Sequence, residues 1–587
     1  MTGQAKKTKK AATKIYVADF ETTTSPEDCR VWAWGMVDIE KTRSAWHVEI
    51  GQDIGTFMGR LQTEDSIVYF HNLKFDGAFL LDYLLRKKYH FVEDGRLRNG
   101  EFGTVISAMN QWYSLTIKWD NGHTTEFRDS AKKIRMRVKD IARTYDLYEK
   151  KGRIDYHAYR PPGHTITREE RSYIINDVLI VAKALKSKLD AGMTKLTSSA
   201  DALAEYKTLV GKSFIDHFPI LSLTMDGEIR DAYRGGFTYT AKRFKGKQLG
   251  PGMTFDVNSL YPSVMYHKLL PYGEPVYREG LPKKSEAYPL FIVSVTFTAT
   301  LKPGHVPCIQ IKNSRFHNDV DYQEVIDEPV TLACSNVDLE LWMDHYDMTI
   351  LSFNGGWAFK GIHGVFNDYI DKWMEVKANS EGGLRAMAKS MLNDLYGKFA
   401  TNPDVTPNIP RMENDVVKFS MGSETMRNPV YTAMGVFITS YAREITVRAA
   451  QANYDVFAYA DTDSLHLLTT TQPDNLDVHP HRLGAWKHEY DFQSAFFARS
   501  KAYAERHYPD QCHKKEHEEC WEDDHSECHV HRPGGCYEVH ISGMPLHVSD
   551  KLTFDDFTNG RYFTGNLKQK RVPGGVVLVD SGFTLKF

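Results

Sequence analysis

The sequence predicts a multidomain α/β protein, and three observations carry the prediction. At 587 residues the chain is too long for one hydrophobic core. Short apolar strands alternate with amphipathic helices, as in "SIVYFHNLKFDGAFLLDYLL" (66–85), where a strand runs into a helix. Two further stretches that read as strands, "MTFDVNSLYPSVMY" (253–266) and "DVFAYADTDSLHLL" (455–468), stand about 200 residues apart, with a strong helix, "EGGLRAMAKSMLNDLYGKFA" (381–400), between them. That spacing predicts one sheet interrupted by inserted subdomains.

Composition narrows the class. With 42% hydrophobic and 25% charged residues the chain is of ordinary globular type. No apolar run approaches the roughly 20 residues that span a bilayer, and the N-terminus lacks a signal-peptide stretch, so a cytosolic protein with no membrane partner is expected. Seven cysteines, an odd number, predict reduced thiols rather than a disulfide framework. The net charge of −3 is unevenly placed. "MTGQAKKTKKAATK" (1–14) has five lysines and no acid, a flexible basic tail or a targeting or expression remnant. Residues 128–153 carry ten Lys or Arg against four acids, either a phosphate-facing strip or a solvated face. Residues 505–528 carry nine acids against three bases, so this one segment holds −6 and the rest sums to +3.

"KIYVADFETTT" (14–24) reads as a strand on which Asp19 and Glu21 stand at i and i+2, hence on one face. Asn72 and Asp76 in "HNLKFDG" are four apart, as are Tyr173 and Asp177 in "YIINDV", so on a helix each pair shares a face. "TREERSYIINDVLIVAKALKSKLDAGM" (167–193) opens with Thr167 and Glu170 as a capping box and closes a first domain near residue 195. Four carboxylates and a tyrosine on three separated elements fit two-metal hydrolysis of a phosphodiester.

A second acidic set follows. Asp256 ends a strand, with Tyr261 just beyond it, and Asp461 and Asp463 repeat the i, i+2 pattern. On an extended chain the last two would lie about 6.6 Å apart and repel by roughly 2.5 kcal/mol, which a divalent cation would turn into ligation. A turn is the other reading of Asp, Thr and Ser together. On the 381–400 helix, Arg385, Lys389, Asn393 and Tyr396 form one stripe suited to a triphosphate and a base, while Gly397 suggests close backbone approach. The alternative is an amphipathic helix showing water its polar side.

In order along the chain, these motifs resemble those of family B DNA polymerases. "ADFETTT", "HNLKFDG" and "YIIND" are similar to the three exonuclease motifs of proofreading polymerases. "DVNSLYP", "KSMLNDLYG", "YADTDS" and "SKAY" are similar to polymerase motifs A, B and C and the KxY motif. More narrowly, "KGRIDYH" (151–157), "YRGGFT" (233–238), "NPVYTAMGVFITSYAR" (428–443) and the ending "VPGGVVLVDSGFTLKF" resemble the protein-primed bacteriophage branch, the phage phi-twenty-nine type. The resemblance implies a ribonuclease H-like 3′-5′ exonuclease domain and a right-hand polymerase of palm, fingers and thumb, with two insertions of the terminal-protein region. The implied layout is a basic tail at 1–14, exonuclease at 15–197, palm at 198–267, a first insertion at 268–365 and fingers at 366–400. A second insertion at 401–432, the rest of the palm at 433–540 and a thumb at 541–587 complete it.

The resemblance also implies roles. Asp19, Glu21, Asp76 and Asp177 would bind the exonuclease metals, Tyr173 would orient the attacking water, and Lys151 would assist hydrolysis. His71, Asn72 and Phe79 would hold the frayed 3′ end. Asp256, Val257 and Asp463 would ligate the polymerase metals, with Asp461 adjacent. Tyr261 would exclude a 2′-hydroxyl, Lys377 and Lys389 would contact the triphosphate, and Asn393 and Tyr396 would bind substrate at the nascent pair. Lys501 and Tyr503 would grip the primer, Tyr233, Gly235 and Gly236 would lie between the two sites, and Thr439 and Arg443 would lie near DNA. The implied cofactor is Mg²⁺, with Mn²⁺ as its substitute. Implied partners are primer-template and single-stranded DNA, dNTPs and a terminal protein, bound by a monomer as a heterodimer at initiation in the cytoplasm of an infected bacterium.

In the family the two insertions hold the terminal protein and encircle DNA, so processivity and strand displacement are expected. A nucleic-acid-primed family B enzyme is the nearest rival, and the length of 268–365 speaks against it. Intact carboxylates speak against a non-catalytic DNA-binding scaffold. The sequence departs from the family pattern at "CHKKEHEECWEDDHSECHVHRPGGC" (512–536), within a Cys/His-rich loop at 505–536. There Cys512, Cys520, Cys528 and Cys536 recur every eight residues among five histidines. Zinc ligation and a solvated, metal-free loop are both open readings. Ala460 in motif C and Asp394 in motif B also depart, and are read as tuning metal preference or nucleotide affinity.

Overall fold

The computed structural model describes residues 13–40, 46–311, 322–508 and 536–587. Three large sheets organise them. The first has eight strands, with Lys14–Thr22 near its centre, parallel to Ser66–Phe70 and antiparallel to Val31–Asp38. Helix Leu73–Arg86 covers one face, packing with Phe20 and Phe70. Helix Arg168–Asp190 covers the other, packing Val178 and Leu185 with Val17. Alternation along the strand therefore turns Asp19 and Glu21 to the side of Val17, toward the helix that carries Asp177. The Thr167–Glu170 capping box forms as predicted.

The second sheet joins the two sequence-distant strands. Gly252–Val257 lies between Ser464–Leu467 and Trp486–Arg499, with Asp256 opposite Ser464. Neither of the two expected strands runs its full length. Residues 253–266 are a strand only to Val257; the chain turns at Ser259, in the left-handed region with φ +56°, and Leu260–His267 is a helix with Pro262 in its first turn, where a missing N–H is harmless. Residues 455–468 form a hairpin, Phe457–Asp461 against Ser464–Leu467.

An antiparallel four-stranded sheet, from Leu270–Arg278 to Tyr346–Ile362, occupies the first expected insertion. The hairpin Asn408–Glu413 and Val416–Met421 occupies the second. This hairpin and a C-terminal one, Leu567–Val572 with Gly575–Asp580, both rest on the first domain, adding Val417, Val572, Val576 and Val577 to the core beneath Leu73–Arg86. Phe419 meets Trp112 edge-on at 5.8 Å between centroids, and the Arg571 guanidinium lies 4.4 Å from the Phe419 ring. Three segments far apart in sequence thus close on one another.

Cys29, Cys308 and Cys334 are free and buried, as expected of reduced thiols. Cys536 departs from that expectation: it is disulfide-bonded. Cys512, Cys520 and Cys528 lie outside the described residues, as do nearly all of the basic tail and most of the 505–536 loop. Among the described residues no helix is long and apolar enough to cross a membrane.

Candidate active sites

In the first domain the strand, the start of helix Leu73–Arg86 and helix Arg168–Asp190 bring Asp19, Glu21, Asp76 and Asp177 into mutual electrostatic reach. Burial and the nearby Asp177 push Asp19 up to about 7. Burial, then Asp19, raises both Glu21 and Asp76 well above the usual carboxylate range. Lys151 supplies counter-charge: its ammonium pairs with Asp177 Oδ2 and donates to the Tyr173 hydroxyl at 3.2 Å. The other Asp177 oxygen is buried with no hydrogen-bond partner. Asn72 sits exposed before the helix at φ +75°, its N–H donated to Asp129.

The second set gathers in the other large sheet. The Val257 N–H donates to the Asp463 carbonyl at 2.8 Å, locking the Asp256 strand to the hairpin tip. Burial, then Asp463, pushes Asp256 up to about 7; burial and Asp461 raise Asp463. Asp461 and Asp463 do not share one face of a strand. Asp461 ends a strand, Thr462 takes φ +63°, and Asp463 lies in the turn. The turn and the carboxylate cluster are therefore one feature. Asp461 faces Lys501, whose ammonium lies 2.9 and 3.0 Å from its two oxygens, and accepts from Thr238 at 2.9 Å.

Opposite Asp256 stand three cations. Arg385 and Lys389 are exposed on helix Gly382–Phe399, with Asn393 also exposed. Lys377, on helix Asn367–Ala378, donates to Ser259 at 3.1 Å. Burial, then Lys389 and Arg385, lowers the Lys377 ammonium, so the three crowd one region and would welcome an anion. Tyr261 and Tyr396 stack with centroids 4.0 Å apart, walling the same space. Among the described residues no group of three or more His, Cys, Asp or Glu side chains is placed so as to hold a metal ion by itself. Mg²⁺ keeps several waters and shares substrate oxygens, so it asks only one or two carboxylates of the protein.

Several of the expected contact residues are buried or already hydrogen-bonded within the protein. Thr439, 1% exposed, bonds to carbonyls of its own helix, and Arg443, 5% exposed, is paired with Asp338, so both side chains are buried. Arg443 instead donates to the carbonyls of Arg234 and Gly235, supporting the "YRGG" backbone from below. Tyr503, 8% exposed, packs against Tyr459 and His540 under Lys501. Phe79 is 1% exposed and belongs to the core, while Phe75, one turn earlier, is the half-buried ring. Both His71 nitrogens are engaged, with Ser130 and the Met136 carbonyl. At Gly397 a Cβ would meet nothing within 4 Å among the described residues, so no close approach there requires the glycine. Gly236 does show close approach: a Cβ would stand 2.7 Å from the Thr462 side chain at the hairpin tip. A Cβ at Gly235 would be in the open, and Tyr233 is half-buried beside the core that Phe237 and Phe255 belong to.

Three participants escaped the sequence reading. Tyr156 brings its hydroxyl within 2.5 Å of that of Tyr173. Glu489 and Lys487, paired at 2.8 Å, both act electrostatically on Asp256. Their i, i+2 spacing in "WKHEYDF" is the signal already used for Asp19 and Glu21.

Residues 58–479 match the family model of DNA polymerase type B, organellar and viral. The DNA polymerase of Bacillus phage phi29 is 44% identical over 584 residues, covering 98% of this chain and 99% of that one. That of Streptococcus phage Cp-1 is 30% identical over 601 residues, covering 98% and 99%. The solved Phi29 DNA polymerase complexed with primer-template DNA and incoming nucleotide substrates matches with a TM-score of 0.89 at 42% identity, covering 98% of this chain and 100% of that one. The same protein complexed with single-stranded DNA matches with a TM-score of 0.88 at 41% identity, with the same coverage of this chain.

Proposed function

The chain belongs to the organellar and viral type B DNA polymerases, and from that premise we propose that it copies DNA from a protein primer, displaces the strand ahead and proofreads with a separate 3′-5′ exonuclease. One observation carries the reading: two carboxylate clusters on two different sheets, each with its own facing cations.

In the polymerase cluster, the palm, Asp256 and Asp463 would hold two Mg²⁺ ions, Mn²⁺ serving as substitute, with Val257 at the strand end. Bound there, the cations would neutralise the phosphates and lower the charge barrier to phosphoryl transfer. Lys377, Lys389 and Arg385, on the fingers helices, draw in the triphosphate; Asn393 and the Tyr261–Tyr396 stack shape the space for sugar and base. Lys501, held at the hairpin by Asp461, offers its ammonium to the primer strand. In the exonuclease cluster Asp19, Glu21, Asp76 and Asp177 fit a second pair of cations, the unpartnered Asp177 oxygen being a ready ligand. Tyr173, tuned by Lys151 and Tyr156, positions the attacking water there.

The relatives solved with primer-template DNA, single-stranded DNA and nucleotides support those partners here. Likeness to the phage polymerases supports a terminal-protein primer, a monomer that pairs with it at initiation, and work in the cytoplasm of an infected bacterium. The closure of the 408–421 hairpin and the C-terminal hairpin onto the first domain supports encirclement of DNA, hence processivity.

Separation of the two activities tests the reading. Asp463→Asn is expected to lower primer extension by at least about a thousandfold while degradation of single-stranded DNA persists; Asp19→Ala is expected to do the reverse. Loss of both activities in either variant with the fold intact would contradict two independent sites.

A further inference from the structure

The helix Gly382–Phe399 turns Arg385, Lys389 and Asn393 to solvent, and its other side is fastened to the first domain at two points. Near its start, a Cβ on Gly383 would lie 2.4 Å from the Tyr145 ring, and one on Gly382, at φ +56°, 2.8 Å from the Thr144 carbonyl oxygen. Only glycine lets the helix come so close. Eleven residues on, Asp394 is 9% exposed. Its Oδ1 accepts from Arg135 Nη1 at 2.9 Å; its Oδ2 accepts from Ser198 at 2.6 Å and from Ser390, on the same helix, at 2.9 Å.

Beneath this contact lies a cluster of opposed charges. Lys133 is fully buried, paired with Asp201 and donating to the Lys195 carbonyl at 2.7 Å. Lys188 is buried close by, within electrostatic reach of Lys133, Asp201, Asp394 and Arg135. Three cations, Lys133, Arg135 and Lys188, thus meet two carboxylates, and the helix supplies one of the two. Without the Asp394 charge, three cations would face Asp201 alone, and the bias that draws the helix to this place would be gone.

We propose that Asp394 is a positioning residue that, through Arg135 and Ser198, holds the nucleotide-facing stripe of this helix in its competent orientation against the exonuclease domain. The inference rests on the reading of Lys389, Asn393 and Tyr396 as nucleotide-binding. Asp394 itself touches no nucleotide in that reading. If the helix wanders, only a fraction of molecules presents the stripe correctly, and apparent nucleotide affinity falls by that fraction. Slower insertion also leaves the 3′ end open to excision for longer.

The test uses the full-length protein in three forms, Asp394→Asn, Arg135→Gln and the double variant, beside wild type. The dNTP KM and kcat of primer extension are measured separately, with single-stranded DNA degradation and the ratio of dNMP released to dNTP incorporated. Asp394→Asn is expected to raise the KM about tenfold, the worth of one charge-assisted hydrogen bond, with kcat at saturating dNTP changed less than about twofold. Single-stranded degradation stays at wild-type rate and the release ratio rises. Arg135 is largely exposed, so Arg135→Gln folds irrespective of Asp394, moves KM in the same direction, and adds nothing to Asp394→Asn in the double variant. A KM that is unchanged or lower in both single variants, or effects that simply add, would overturn the proposal. Absence of extension by wild type would instead overturn the polymerase reading on which it stands.

Discussion

Lys188 sits buried on the helix that carries Tyr173 and Asp177. Burial, with Lys133 pushing the same way, brings its ammonium down from 10.5 to about 8. Between those two values the unfolded chain holds a proton that the folded chain has released, so stability rises with pH across that window. Below it the wild type bears the whole penalty, at most about 3 kcal/mol. Lys188→Met is expected to raise Tm at pH 7, with the gain fading as pH passes from about 8 to beyond 10.5. A difference in Tm that stays constant over that range would contradict this assignment. Charge also sorts the Asp461 and Asp463 pair: Asp461 is answered by Lys501, whereas Asp463 repels Asp256 and raises its carboxyl. That the residues are acidic is legible in the sequence; which way each one faces is not, because a single αL residue, Thr462, decides it.

At the scale of elements, local rules read well where local interactions dominate. The capping box fixes the start of Arg168–Asp190, and the apolar run 66–70 gives its strand. They fail where the chain reverses within a few residues, as after Val257, since an apolar stretch does not say whether it continues as strand or helix. Burial of Thr439, Arg443, Tyr503 and Phe79 was equally invisible, because it depends on elements packed from far along the chain. Two such long-range supports carry predictions. Gly236→Ala forces a Cβ into Thr462, shifting the hairpin tip, and is expected to slow primer extension by about ten- to a hundredfold while single-stranded degradation continues. Asp338 pairs with Arg443 at 2.7 Å through two oxygens, both residues buried. Asp338→Ala leaves an uncompensated buried guanidinium and is expected to destabilise the fold by about 3–5 kcal/mol, seen as a lowered Tm. A Tm within a degree of wild type would show that its hydrogen bonds to the Arg234 and Gly235 carbonyls suffice for Arg443 without a counter-charge.

Across the whole molecule, the order of motifs made the two-centre architecture legible from sequence. The closure of the 408–421 hairpin and the C-terminal hairpin on the first domain was not, since Phe419, Trp112 and Arg571 belong to three separate parts of the chain. Phe419→Ala removes the ring that both partners share. Products of one binding event, read with excess trap DNA, are expected to shorten while the rate of nucleotide addition stays near wild type. The central claim is that one chain both copies DNA and opens the duplex ahead, and extension of a primer on a single-stranded circle tests it most directly. With Mg²⁺, dNTPs and no accessory protein, wild type is expected to yield products many circle lengths long, and Asp463→Asn none. Products that stop at one circle would contradict built-in strand displacement, and equal products from the variant would contradict the assigned active site.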